Sequence, residues 1–460
     1  MTVLLLAGCF SPQKKYETLA ECEKEFAPQS RIYPSENTIL TLARARHIAL
    51  NNNPTLRASA AAILAAKYNY DRALSTYLPS IDLTGSTGHT TDNGYHLHNP
   101  PPGIMKRNAH FNTGGTLQAT LLLFDGLARE LEVRLAKLQY NDSTAADKNV
   151  KRLLMRAVAY TYWDILLNSA ELEIAEADVS FQTDALKQTE IQFSAGHVSL
   201  AAVLNFQILA DRARSNVQNA RYRRRIACNA LMTLMGFSRQ KFPENIRFPK
   251  ISSDRQMPLP DEEICLEQAI RHRPDLEQER IQLETALRQK QLVYARFLPE
   301  LHFFTNYSLD VFDAQYSHYS VSGSRYNRTG FSYGVSGTWN IFEGFAALNQ
   351  LRRREVLEKI ALWGLNTKFL EIVNEIKDAR AHYINSVSQA AIFSRIVQRV
   401  YRQRDLVCNE YLNGRETITR LNQAQSICVE AQNNLVLWLV QSRKASAQLN
   451  AAAAFELLPE

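Results

Sequence analysis

The chain has 460 residues, 45% hydrophobic and 22% charged, which excludes an intrinsically disordered chain. Its 53 basic residues exceed its 46 acidic ones by seven, a mild and dispersed excess that argues against nucleic-acid binding. No apolar run approaches the roughly 18 residues of a spanning helix, so any membrane crossing has to be made by strands.

The N-terminus reads Met1-Thr2-Val3-Leu4-Leu5-Leu6-Ala7-Gly8-Cys9. A short apolar stretch ending in small residues is what a signal peptidase reads. Leu6-Ala7-Gly8-Cys9 resembles the lipobox of bacterial lipoproteins, in which the chain is cut before the cysteine and the cysteine is acylated. The resemblance makes Cys9 the expected lipidation site, residues 1–8 a truncated signal remnant, and 9–35 a lipid-anchored linker. An ordinary signal has about 15–30 residues and a charged start. Here eight residues precede Cys9 and none is basic, so a start upstream of Met1 is expected. Phe10 is not the aspartate associated with retention at the inner membrane, which favours the outer one.

Residues 36–236 form the first structural repeat. A helix rich in Ala, Leu and Arg is expected from about Glu36 to Tyr77, with Pro54 near its first turn. Pro79 stops it, because proline disfavours helix in the residue before it. Strands follow at about 79–92 and 108–124. The loop between them carries Asn99-Pro100-Pro101-Pro102-Gly103, flanked by His89, His96, His98 and His110. A metal site needs ligands in fixed geometry, so these histidines read as an external loop rather than a metal centre. Gly126 to Phe193 contains no proline and one long helical pattern, about 70 residues or roughly 100 Å of helix. Leu127, Leu131, Leu135 and Leu138 recur at coiled-coil spacing. Gly196 closes this rod, Ser199 can cap a return helix, and that helix runs to about Met235.

Residues 237–262 hold Pro243, Pro249, Pro258 and Pro260 and read as an equatorial linker. Residues 263–460 then repeat the plan. Ala269-Ile270-Arg271-His272-Arg273-Pro274-Asp275-Leu276 echoes Ala49-Leu50-Asn51-Asn52-Asn53-Pro54-Thr55-Leu56, 220 positions earlier. Phe297-Leu298-Pro299 echoes Tyr77-Leu78-Pro79 at the same offset. Ile341-Phe342-Glu343-Gly344 echoes Leu123-Phe124-Asp125-Gly126 at 218, and Gly414 echoes Gly196, also at 218. Strands are expected at about 299–312 and 329–342, then a rod from Gly344 to Asn413 and a return helix, capped by Thr417, to about Leu458.

The second pair of strands carries the clearest alternation. Leu301, Phe303, Thr305, Tyr307, Leu309 and Val311 share one face, as do Phe331, Tyr333, Val335, Gly337, Trp339 and Ile341. That face has no charge and is rich in aromatics; the other is small and polar, as in a membrane barrel with lipid outside and water inside. Four strands cannot close a barrel, because about eight are needed, and an open edge in lipid is costly. Oligomerisation is therefore required, and three subunits would give twelve strands.

The dense basic runs, Arg221 with Arg223 to Arg225 and Arg352 to Arg354, sit in helices whose consecutive residues point apart, so they read as solvated helix surface. The six cysteines show no C-x-x-C pair, and Cys228, Cys265, Cys408 and Cys428 fall inside helices as small apolar residues. No hydrolase, zinc-protease or nucleotide-binding motif appears; no enzyme activity and no cofactor are expected.

The paired A-L-x-x-x-P-x-L motifs, the L-P turns into strands, the Leu123-to-Gly126 exit and Ala424-Gln425 downstream of a glycine turn resemble the TolC-like outer-membrane efflux family. The likeness runs from about residue 36 to 455, and the lipobox makes that family's lipoprotein branch the nearer match. It implies a mostly α, mixed α and β fold. A homotrimer joins a twelve-stranded transmembrane barrel to a long periplasmic α-helical barrel. It also implies an adaptor protein, an inner-membrane pump and outer-membrane lipid as partners. By that resemblance Ala195, Gly196, His197, Asn413, Gly414 and Arg415 are the periplasmic tips that meet the adaptor. Tyr411 matches a tyrosine of the family's closed gate. The acids usual six and nine residues after the tip glycine are replaced by Arg420 and Gln423 here, and by Ala202 and Asn205 in the first repeat. Either Arg420 lines a positive constriction, or it pairs with Glu416 four residues away and faces sideways. The expected function is the outer-membrane channel of a tripartite efflux system. The outer duct of a type I protein secretion system has the same architecture, and a non-channel periplasmic coiled-coil scaffold is the alternative of another class.

Overall fold

The computed structural model describes residues 39–93, 107–237, 246–249, 251, 261–316 and 324–455. They are mostly helical. In chain order the elements are α1 (Leu42–Asn52), α2 (Pro54–Ser75), β1 (Ser80–Asn93), β2 (Arg107–Phe124), α3 (Ala128–Ser194), α4 (Leu200–Leu234), α5 (Glu262–His272), α6 (Pro274–Ala295), β3 (Glu300–Tyr316), β4 (Ser324–Thr338), α7 (Ala346–Leu412) and α8 (Ile418–Ala453). The chain falls into two compact units, one of residues 60–146 and 275–369, the other of 1–59, 147–274 and 370–460. No described helix is long and apolar enough to cross a membrane.

The opening helix of each repeat is not continuous. Pro54 and Pro274 each start a second helix, and the residue before each leaves the helical region, Asn53 at ψ 124° and Arg273 at ψ 117°. The proline ring crowds the preceding residue out of helical backbone. In the folded chain these two kink residues have a task in common. Asn53 Nδ2 donates to the Leu234 carbonyl at 2.8 Å, at the end of α4. Arg273 donates to the Ala452 carbonyl at 3.0 Å, in the last turn of α8. The last carbonyls of a helix have no partner within it. Each repeat thus ties the end of its return helix to the kink of its first helix, with an amide in one copy and a guanidinium in the other.

In the unit of residues 60–146 and 275–369, the four strands form one antiparallel sheet ordered β1-β2-β3-β4. Its register lines up Leu83, Leu117, Tyr307 and Phe331 in one row, Ile81, Ala119, Thr305 and Tyr333 in the next, and Leu121, Phe303 and Val335 in a third. Period-two alternation puts all three rows on one face. That face is open: Leu83 is 79% exposed, Phe331 69% and Val335 62%. The reverse face aligns Thr84, Thr116, Ser308 and Gly330, and Asp82, Gln118, Asn306 and Ser332. β4 begins at Ser324 and ends at Thr338, so Trp339 and Ile341, expected in the strand, lie beyond it. Trp339 instead donates its indole N–H to the Phe297 carbonyl at 3.2 Å.

The exit from the strands has the same form in both repeats. Gly126 and Leu127 both have positive φ, as do Gly344 and Phe345. At Gly126 a Cβ would sit 2.9 Å from the Ala295 carbonyl oxygen, so only glycine fits the turn. Asp125 then caps α3, its carboxylate accepting from Arg129 N at 2.7 Å.

The larger core lies in the other unit, where Leu40, Ile48, Val158, Ile165, Leu231 and Met235 are nearly solvent-free. Residues 246–249 lie within the stretch expected to be linker. Ile39 pairs with Arg247 in a short parallel bridge, and Ile246 packs into the same core. Tyr162 donates to the Leu40 carbonyl at 2.9 Å and packs edge-on against Phe248. Two members of the first basic run are paired: Arg221 meets Glu176 at 2.9 Å and Arg223 meets Glu171 at 3.4 Å. Cys228, Cys265 and Cys428 are buried and Cys408 is half-buried, all as free thiols. Burial pushes the Cys228, Cys265 and Cys428 thiols up, so they stay protonated and inert.

Asp147, in the same unit, is buried. It accepts from Ser59 Oγ at 2.5 Å and from Lys151 Nζ at 2.6 Å. Burial opposes its ionisation, but the two donors outweigh that cost and hold the carboxyl below its ordinary 3.8. A depressed folded value contributes stability that is complete above the unfolded pKa, about 3.9, and lost as pH falls through the folded one. Asp147→Asn is therefore expected to flatten the acid limb of the unfolding-midpoint profile below about pH 4, as followed by circular dichroism in detergent. Superimposable acid limbs for variant and parent would contradict this role.

Candidate functional site at the helical turns

The two long hairpins turn in the same way. His197 N donates to the Gln192 carbonyl and Gly196 N to that of Phe193, both at 2.9 Å. Arg415 N and Gly414 N repeat the pattern on Glu410 and Tyr411, also at 2.9 Å. This is a Schellman closure, which needs a left-handed residue after the helix. Gly196 and Gly414 supply it at φ +76° and +70°. A Cβ at either would meet open space, so the backbone angle alone requires glycine here. Ala195, Gly196, His197, Asn413, Gly414 and Arg415 are all exposed, as a contact surface needs to be.

The starts of the return helices differ. Thr417 caps α8, its Oγ1 accepting from Arg420 N at 3.3 Å. Ser199 occupies the matching position before α4, but its side chain makes no capping bond; its carbonyl accepts from Ala202 N at 3.0 Å.

Tyr411 is 9% exposed and packs with Val407, Leu421 and Ala424, beside Phe181 of α3. Its hydroxyl is buried with no hydrogen-bond partner among the described residues. One turn along α8, Gln425 donates to Asp178 Oδ1 of α3 at 2.8 Å. Gln182 reaches the same oxygen at 3.4 Å. This tie joins the first long hairpin to the second. It also gives a physical reason for the Ala424-Gln425 pair: Ala424 leaves room for Tyr411 and Gln425 bonds across to α3. Asp178 and Phe181 carried no signal in the sequence, since they meet Gln425 and Tyr411 from more than two hundred residues away.

Arg420 does not pair with Glu416. Its guanidinium donates to Gln423 Oε1 at 3.3 Å, while Glu416 accepts from Thr417 N at 3.2 Å. Arg420 and Gln423 are both exposed. At the tip of β1, His89 is exposed; His96 and His98 lie outside the described residues, as does the side chain of His110. Among the described residues no group of three or more His, Cys, Asp or Glu could hold a metal ion. Cys9 also lies outside the described residues.

The sequence profile described as outer membrane efflux protein matches residues 45–237 and again 265–454, one match on each repeat. The chain belongs to the outer membrane efflux protein family. Solved structures agree in fold. CusC, described in terms of folding and transmembrane channel formation, is 19% identical at a TM-score of 0.74, over 93% of this chain and 97% of that one. The outer membrane protein VceC of Vibrio cholerae is 18% identical at 0.72, over 90% and 96%. The CmeC outer membrane channel of Campylobacter jejuni is 13% identical at 0.73, over 95% and 93%. No curated protein matches the chain. Family membership accounts for the duplicated plan: the four strands and the paired hairpins are the family's architecture, drawn from a sequence that shares few identities with those solved structures.

Proposed function

We propose that this chain is one subunit of a homotrimeric export duct in the outer membrane, working with a periplasmic adaptor and an inner-membrane pump. The observation that carries the reading is the four-stranded sheet. Its apolar face is open to its surroundings, and β1 and β4 have no outer neighbour among the described residues. In lipid such edges need partners, and three copies of a four-stranded sheet supply them in a twelve-stranded barrel. Efflux rather than protein secretion follows the family's description. The lipid anchor is Cys9, and the exposed turns at Gly196 and Gly414 are the adaptor surface.

Mass and single-channel conductance measured together on detergent-purified protein test this. Three chains per particle and a discrete conductance are expected; a water-soluble monomer without conductance overturns the reading.

Within the duct, Tyr411, Glu416, Arg420 and Gln423 are the gate residues. The bond from Arg420 to exposed Gln423, rather than to an acid, supports a constriction ringed by three positive charges. Such a ring favours anions. Reversal potentials in a planar bilayer should show anion preference in the parent and its loss in Arg420→Gln. Cation preference in the parent contradicts a positive gate.

A further inference from the structure

The four strands meet their helices at one end of the sheet, where Ser80 pairs with Thr120, Phe124 with Leu301 and Glu300 with Thr338. Turns are ordinarily built from Gly, Pro, Asn, Asp and Ser. At this end they expose large apolar side chains instead: Tyr77 and Leu78 before β1, Phe297 and Leu298 before β3, and Trp339, Ile341 and Phe342 after β4. Contacts between the turns join them into one rim. The Arg129 guanidinium lies 4.2 Å from the Tyr77 ring, and a Cβ at Gly126 would lie 3.0 Å from that of Leu298. Trp339 bonds to the Phe297 carbonyl, and the Phe342 and Phe345 rings meet edge-on at 5.5 Å. A continuous apolar surface of this kind marks a contact made outside the chain.

Two residues of the rim are disfavoured by their own backbone. Leu127 and Phe345 each precede a long helix, and their carbonyls accept its first bond, from Leu131 N at 3.2 Å and Asn349 N at 3.0 Å. That position favours Ser, Thr, Asp or Asn in extended backbone. Leu127 and Phe345 instead hold φ +68° and +66°. In that region a Cβ crowds its own backbone, and Asn is better tolerated than Leu or Phe. The other described non-glycine residue with positive φ is Ala454, which ends α8. Neither side chain is buried in return: Leu127 is 58% exposed and Phe345 65%. The same disfavoured choice, made once in each repeat, has its compensation outside the chain.

We infer that Leu127 and Phe345 anchor the chain in the boundary layer of a lipid bilayer, where acyl chains meet headgroups. The inference rests on the reading of the sheet as lipid-facing. Its argument for lipid is continuity. On the sheet's apolar face Leu121 and Phe303 lead on to Leu123 and Leu301, and Val335 leads through Gly337 to Trp339 and Ile341. Aromatic and apolar side chains gather where a barrel leaves the hydrocarbon, because a ring can sit among acyl chains while the backbone beside it meets water. At that depth the contact with lipid offsets the strain of the turn.

The test uses the full chain in phosphatidylcholine vesicles brominated either near the glycerol or near the middle of the acyl chains, and reads tryptophan emission. The emission that Phe345→Trp adds to the parent should be lost with shallow bromines and kept with deep ones. That of Tyr333→Trp, on the sheet's apolar face, should be lost with deep bromines. Quenching of Tyr333→Trp alone means that water or a neighbouring copy covers the turn, which overturns the anchor and leaves the duct reading standing. Quenching of neither removes lipid from the sheet as well and overturns both. Stronger quenching of Phe345→Trp by deep bromines places the turn in the hydrocarbon interior and overturns the boundary assignment. A second arm combines Leu127→Asn with Phe345→Asn. Asparagine suits this backbone better, so a role confined to the turn predicts no loss. An anchor predicts about a tenfold fall in heat-resistant oligomer recovered from outer membranes, and its retention in Phe345→Leu. Unchanged recovery of the double variant overturns the proposal.

Discussion

In Val335→Arg, the protein is expected to lose its membrane-inserted oligomer, while Ser332→Lys retains it. Val335 belongs to the apolar row with Leu121 and Phe303 and is 62% exposed. Ser332 lies on the opposite face, paired with Asn306. An arginine facing lipid costs roughly 2–4 kcal/mol near the bilayer midplane, and a trimer carries three. A lysine on the water-facing side meets no such penalty. On a protein surface facing water the same valine substitution would change stability by only about 0.5 kcal/mol in either direction. The contrast is read from membrane fractions and the heat-dependent mobility of the oligomer on gels. Normal insertion of Val335→Arg would remove lipid from that face and with it the barrel.

Arg273→Ala is expected to lower stability by about 2–4 kcal/mol, the range for breaking a largely buried pair and stranding a helix-end carbonyl. Its side chain is 3% exposed, lies 2.7 Å from Glu375 and donates to the Ala452 carbonyl. Arg271, two residues earlier, pairs with Glu267 at the surface and is 68% exposed. Arg271→Ala should cost no more than about 0.5 kcal/mol, as surface pairs contribute little. Arg273→Lys should fall between them, because lysine keeps the positive charge beside Glu375 but loses the rigid guanidinium plane that aims one nitrogen at both oxygens. Thermal unfolding midpoints of the four proteins in one detergent give the order. Equal midpoints for Arg273→Ala and Arg271→Ala would mean that the kink residue does not hold the end of α8.

Much of the architecture was legible because it is written in local, repeating chemistry. Pro79 and Pro299 end helices wherever they occur, and Gly196 and Gly414 close them through a backbone angle. The alternation in β3 is a direct imprint of a sheet with one apolar and one polar face. The boundaries that went astray are those where tertiary contact decides. Trp339 continues the apolar alternation, yet its indole N–H turns to the Phe297 carbonyl and the strand stops at Thr338. Ser199 and Thr417 look interchangeable as caps, and only Thr417 makes the bond. Phe193 and Tyr411 are equivalent positions 218 residues apart, but Phe193 is 43% exposed and Tyr411 9%. The duplication that makes the plan readable also hides where the two copies have diverged.

The sequence by itself determined the two-copy plan, the strands with one apolar face, the long rods and their glycine turns. Each follows from residue type and spacing within a few turns of chain. Only the tertiary structure decided that Asn53 and Arg273 hold the ends of their return helices, that Gln425 ties to Asp178, and that Arg420 meets Gln423 instead of Glu416. Apart from the local contact of Arg420 with Gln423, those pairings join segments far apart in the chain, and no local pattern encodes which distant partner a donor will reach once the helices have packed.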